Sequence, residues 1–243
     1  IADTGKPVVL VLLTGRPNTI GQLLPKAAAV LAAFHGGTMA GPALADLLLG
    51  RRSPCGRLPV TWPRAAGQIP IYYNHKNTGR PANAATFVSM DDIPIGAWQS
   101  SLGNESHYLD IGFEPQFPFG YGLTYGDFEY SNLEVETPEI EMGGVARITA
   151  TLRNRGDREA TEVAQLYVRD LVGDVTRPVR ELKGIERVTL APGEERVVSF
   201  RLPARELSFH DSRMNEVVEP GEFAVWVGPN AASGLEGGFR IRE

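Results

Sequence analysis

The sequence predicts an α/β region joined through a long irregular stretch to an all-β region, and three observations carry this expectation. A continuous apolar run opens the chain at Val8 to Leu13. Proline and glycine then punctuate residues 53 to 125 without pause, and from Gly126 onward apolar and polar residues alternate with a period of two. A length of 243 residues suits one large or two modest domains.

Each element follows from local pattern. Val8-Val9-Leu10-Val11-Leu12-Leu13 has strand length and no polar interruption, as expected of a strand covered on both faces in a parallel sheet. It ends at Thr14-Gly15-Arg16-Pro17. Leu23 to Phe34 is rich in Ala and Leu, which predicts a helix packed on that sheet, broken at Gly36-Gly37. Pro42 fits a first helical turn, and Ala43 to Leu49 continues a short helix that Gly50 ends. One such unit cannot cover both faces of its own strand, so further strands are expected from outside this sequence. The first residue is Ile1, and the chain reads as a piece of something longer.

In the last region, Ile148/Ala150/Leu152, Ala164/Leu166/Val168, Val198/Phe200/Leu202 and Phe223/Val225/Val227 each mark one face of a half-buried strand. Asn154-Arg155-Gly156-Asp157, Ala191-Pro192-Gly193-Glu194 and Glu219-Pro220-Gly221-Glu222 separate them, and Pro-Gly predicts type II turns at the last two. An antiparallel β-sandwich is the expected architecture.

Composition excludes several functions. A net charge of −5 with both signs interspersed offers no basic stripe, so nucleic acid is not an expected partner and a neutral polyol is compatible. The apolar run is too short to span a bilayer, and no membrane association is expected. Cys55 is the single cysteine, which rules out an intrachain disulfide and CxxC chemistry. His35, His75, His107 and His210 show no metal-ligand spacing, so a metal site is not expected. No Gly-x-Ser-x-Gly elbow is present, and a nucleotide fold would need a GxGxxG or P-loop pattern that the chain lacks.

Glycoside hydrolysis needs two carboxylates flanking the bond. Asp91, Asp92, Glu105, Asp110 and Glu114 populate the irregular region, yet no spacing singles out a pair. Arg16 follows the first strand at its C-terminal edge, where open parallel sheets place ligands; an intramolecular ion pair is its favoured role and a ligand contact the alternative. His35 occupies the same side. Tyr72, Tyr73, Trp98, Tyr108, Phe113, Phe117, Phe119 and Tyr121 offer rings on which sugar C–H faces stack, and packing explains most of them equally well. Asn104-Glu105-Ser106 matches a glycosylation sequon.

Three phrases are more specific. Gly5-Lys6-Pro7 running through Val8–Leu13 to Gly15-Arg16-Pro17, then Gly56-Arg57-Leu58-Pro59-Val60-Thr61-Trp62-Pro63 with Gly67-Gln68-Ile69-Pro70, then Phe117-Pro118-Phe119-Gly120-Tyr121-Gly122-Leu123-Thr124-Tyr125, occur in that order. Together they resemble glycoside hydrolase family 3, above all its periplasmic bacterial β-glucosidases, which carry a phrase similar to Tyr72-Tyr73-Asn74-His75-Lys76-Asn77-Thr78-Gly79-Arg80-Pro81. Val163 to Asp170, Arg177 to Gly184 and Leu190 to Glu194 are similar to that family's fibronectin-type-III-like domain.

The resemblance implies residues 1–65 as the C-terminal part of an α/β sandwich domain, 66–125 as a loop-rich linker near the active site, and 126–243 as an immunoglobulin/fibronectin-III-like antiparallel β-sandwich. It implies retaining hydrolysis of terminal β-linked glucose without metal or cofactor, in the periplasm or outside the cell. The catalytic Asp would lie on an N-terminal (β/α)8 barrel and the acid/base Glu before the Gly-Lys-Pro phrase, so no catalytic residue is expected on this chain. The barrel portion and a β-glucoside or oligosaccharide are the implied partners. Arg16, His35, Met90 and Trp98 are the candidate substrate-binding residues.

Two departures stand out. Many members carry an acidic residue and paired glycines where this chain reads Gly37-Thr38-Met39-Ala40-Gly41, so no role passes to Met39. The stretch from Asn83 to Ser106 is longer than expected, and would place Met90 and Trp98 near an active site, that of a homodimer mate included. The competing reading is a non-catalytic carbohydrate-binding or adhesion module built on the β-sandwich.

Overall fold

The computed structural model describes residues 1–97 and 107–243. The chain divides into two compact units: residues 1–38, 61–72 and 77–117 form one, and residues 39–60, 73–76 and 118–243 the other.

In the first unit, β1 (Val9–Leu12) pairs in parallel with β2 (Ala29–Ala32), Val9 opposite Ala29 and Leu12 opposite Ala32. The expected helix over Leu23 to Phe34 is absent. A single 3-10 turn at Leu24–Lys26 ends in extended backbone at Ala27, and the Ala-rich run continues as strand. Helix propensity favours such a sequence, but pairing with β1 satisfies the backbone of residues 29–32 as strand instead. In each strand the first residue is exposed and the other three are only half-buried. The other described residues of this unit are irregular, as the prolines and glycines predict, with 3-10 turns at Ala2–Thr4, Ala66–Gln68 and Met90–Asp92. Its best-buried large side chain is Trp62, 1% exposed.

In the second unit, α1 (Ala40–Leu48) carries Pro42 in its first turn and is followed by Gly50 at φ 69°. The sandwich has a five-stranded sheet in the order β4-β12-β11-β6-β7 and a three-stranded sheet in the order β3-β5-β8. The strands are β3 (Phe128–Val135), β4 (Glu139–Glu141), β5 (Val145–Asn154), β6 (Ala160–Asp170), β7 (Glu181–Leu190), β8 (Glu195–Pro203), β11 (Gly221–Asn230) and β12 (Ser233–Arg242). A two-stranded ribbon, β9 (Phe209–His210) with β10 (Glu216–Val217), completes the set. All pairings within the two large sheets are antiparallel except β12 with β4.

The alternation read from sequence is the core. Ile148, Ala150, Leu152, Ala164, Leu166, Val168, Val198, Phe200, Leu202, Phe223, Val225 and Val227 all lie in one buried cluster. At Ala191-Pro192-Gly193-Glu194 the expected turn forms, with Gly193 at φ 75° and the Glu194 N–H donating to the Ala191 carbonyl at 3.1 Å. At Pro220-Gly221 it does not: Gly221 already belongs to β11, paired opposite Ile241, and has no positive φ.

Candidate functional site

Parallel pairing puts the C-terminal ends of β1 and β2 on one edge, so the turns carrying Arg16 and His35 open on the same side. The first turn is stapled by Thr14, whose hydroxyl donates to the Arg16 carbonyl at 3.0 Å. A Cβ on Gly15 would stand 2.9 Å from His35 Nε2, so glycine there lets the imidazole rest on the first turn. Phe34 adopts φ 48° and meets Trp62 edge to face at 6.4 Å between ring centroids. The indole N–H of Trp62 donates to the Asn18 carbonyl at 2.6 Å. Trp62 thereby ties both turns to one buried ring.

Arg16 and His35 are exposed on this edge. Among the described residues Arg16 forms no ion pair, which corrects the role that its sequence context favours: every carboxylate that pairs with an arginine here pairs elsewhere. Met90 is 56% exposed, in a turn whose N-terminal Ser89 hydroxyl accepts from the Asp91 N–H at 3.4 Å, while the Met90 N–H donates to the Leu109 carbonyl at 2.9 Å. Trp98, Glu105 and the Asn104-Glu105-Ser106 sequon lie outside the described residues.

The remaining aromatic residues divide between packing and display. Tyr73 stacks on Phe119 at 4.1 Å, and Phe87 packs against Phe113 and His107. Tyr72 and Tyr108 are 61% and 50% exposed, and the Tyr108 hydroxyl donates to the Gly67 carbonyl at 2.7 Å. Tyr108 borders an open cavity of about 340 Å³, also lined by Gln68, Pro70, Ile71, His107 and Phe113. Gln68 is held on both sides, accepting from the Arg64 N–H at 2.7 Å and donating to the Glu114 carbonyl at 3.1 Å. Glu114 forms a surface ion pair with Arg64 at 3.2 Å.

Asp170 in the sandwich is pushed above the ordinary aspartate range by burial, against the pull of Arg177 at 3.6 Å. Arg177 also pairs with Glu181 at 3.2 Å and lies over the Phe209 ring, so this group is a structural network. Among the described residues no three His, Cys, Asp or Glu side chains converge as a metal site. Among the described residues no helix is long and apolar enough to cross a membrane.

A parallel strand pair and an antiparallel sandwich in one chain, with Arg16, Tyr72 and Tyr108 exposed, define the fold with which known proteins can be compared. Residues 1–125 match the glycosyl hydrolase family 3 C-terminal domain and residues 162–231 the fibronectin type III-like domain. The chain belongs to glycosyl hydrolase family 3.

It is 38% identical to a periplasmic beta-glucosidase of Salmonella typhimurium, over 98% of this chain and 29% of that protein. It is 35% identical to a beta-xylosidase of Formosa agariphila, over 95% and 29%. Its fold superposes on the beta-glucosidase of Listeria innocua in complex with glucose with a TM-score of 0.89 and 36% identity, over 100% of this chain and 32% of that one. The chain thus spans less than a third of the relatives it matches.

Proposed function

We propose that the chain is the C-terminal portion of a β-glucosidase, with its catalytic Asp and Glu outside residues 1–243. In this reading residues 1–65 complete an α/β sandwich domain, 66–125 form a loop-rich linker beside the sugar site, and 126–243 are the fibronectin-type-III-like domain. The chain stabilises the complete fold, and Arg16, His35, Met90 and Trp98 face the outer sugar subsites. An N-terminal (β/α)8 barrel portion supplies the nucleophile for retaining hydrolysis of terminal β-D-glucosyl residues, with no metal or organic cofactor. The location in this reading is the periplasm or outside the cell, and the name of the Salmonella relative supports the periplasm.

The observation that carries the reading is β1 and β2. They have the composition of interior parallel strands, yet their apolar side chains are half-buried at best, with Val9 46% and the adjoining Leu13 66% exposed. Further strands are what such faces are built to meet.

The test is complementation. The isolated chain is expected to leave an aryl β-glucoside intact, and mixing or co-expressing it with a family 3 barrel portion is expected to restore turnover. Arg16→Ala and His35→Ala should then raise KM for oligosaccharides more than they lower kcat. Turnover by the isolated chain, or a complex that cleaves only β-xylosides, would overturn the reading.

A further inference from the structure

Arg57 and Glu162 are 105 positions apart and form a contact that nothing in the sequence announces. Arg57 Nη2 donates to Glu162 Oε1 at 2.6 Å, and the two side chains are 8% and 4% exposed. The Tyr130 hydroxyl donates to the same oxygen at 3.1 Å. Burial, then the neighbouring carboxylate, pushes the Tyr130 hydroxyl far above its usual range, so it stays a donor. Glu162 extends from β6 and Tyr130 from β3, one strand in each sheet. The guanidinium therefore plugs the space between the two sheets at their end.

The surroundings leave little freedom. A Cβ on Gly122 would collide with the Gly56 carbonyl and stand 3.1 Å from Arg57 Nη1, so the two phrases that contain Arg57 and Gly122 lie backbone to backbone. Between them, the Leu58 N–H donates to the Tyr121 carbonyl and the Gly120 N–H to the Leu58 carbonyl, both at 2.8 Å. On β6 the buried Gln165 donates to the Gly120 carbonyl at 3.1 Å and accepts from the Tyr167 hydroxyl at 2.6 Å. Gly120, at φ 78°, has no room for a Cβ, which would strike Gln165 Oε1. The Ala231 N–H donates to the Phe119 carbonyl at 2.9 Å.

We propose that β6 and the adjoining end of the sandwich are an internal docking surface for residues 56–58 and 118–121, with Arg57 and Glu162 as positioning residues that set where those two segments lie. The sandwich is the rigid partner: its own core is closed by side chains from both sheets, whereas the segments are irregular and share two backbone bonds. A buried ion pair adds little net stability over an apolar pair of the same size, but removing one partner strands a buried charge. Its value here is register. It also uses up this face of the sandwich, so residues 126–243 are not an autonomous sugar-binding module through it. The proposal stands on contacts within this chain and does not depend on the glycosidase reading.

Amide hydrogen exchange on the full 243-residue chain tests it, with Leu58 and Gly120 as reporters and β5 and β8 as controls. Arg57→Met and Glu162→Gln should each quicken exchange at the two reporters by about tenfold or more with the controls unchanged. The double variant should exchange no faster than the faster single one, because the pair acts as a unit. Should those variants fail to fold, Tyr130→Phe removes one hydroxyl only and should quicken the same amides by about threefold. Parental exchange at both reporters, with or without a lowered Tm, overturns the proposal, and so does an equal rise in reporters and controls.

Discussion

The two strands β1 and β2 and the β-sandwich differ in how far each satisfies its own sequence. Every sandwich strand that alternates apolar and polar residues sends its apolar face into a closed core, where Leu152, Leu166, Leu202 and Val225 are 0–1% exposed. The parallel pair is more apolar along its length and buries less. Antiparallel sheets can be dry on one face and wet on the other, whereas a parallel sheet of continuous apolar residues needs cover on both. The difference separates a core closed by its own strands from a strand pair whose apolar side chains stay half-buried at best in this chain.

Core truncation should show the difference most strongly. Leu166→Ala is expected to cost about 2–5 kcal/mol by urea unfolding of the chain, because the site is sealed and cannot collapse around the missing atoms. Leu10→Ala in β1 should cost less than about 1 kcal/mol in the same chain. A comparable loss at both positions would break the distinction. Glycine at a close approach comes next: Gly120→Ala, with its positive φ and Gln165 in the way, should cost about 1–3 kcal/mol.

The smallest effect is electrostatic and confined to the sandwich. Asp211 accepts from the N–H groups of Asn215 at 2.8 Å and Arg213 at 2.9 Å, and these bonds, that to Asn215 foremost, hold its carboxyl below the ordinary aspartate range. A depressed carboxyl binds fewer protons when folded, so its stabilising contribution is present above the unfolded pKa of about 3.9 and is lost as pH falls through the folded value. The Tm of the parent should exceed that of Asp211→Ala at pH 6, and the two should converge on acidification. A gap that persists at pH 2 would assign the effect to packing instead of charge.

How much of this was legible in the sequence follows the same division. The alternating strands could be read because each records its own burial pattern. The segment Ala29–Ala32 could not: Ala and Leu favour helix locally, and its pairing with Val9–Leu12 is a tertiary fact that overrides propensity. Gly221 was readable as punctuation but not as the first residue of a strand. Arg16 is placed at a sheet edge by the strand before it and His35 by the helix expected before it; the element preceding His35 is instead β2, whose parallel pairing with β1 opens both turns on one edge. The Arg57–Glu162 pair was beyond reach, since a glutamate in a strand carries no mark of burial until its partner is known. The three phrases announced the family, while the contacts that make Gly120, Gly122 and Trp62 necessary emerged only in three dimensions.

The central claim is that β1 and β2 are the unfinished part of a core that the sandwich does not share. Native-state hydrogen exchange of the isolated chain measures it directly. The account predicts that amides of Val9–Leu12 and Ala29–Ala32 exchange at least about a hundredfold faster than those of β5, β6 and β11. Equal protection in the two regions of a monomeric chain would contradict it.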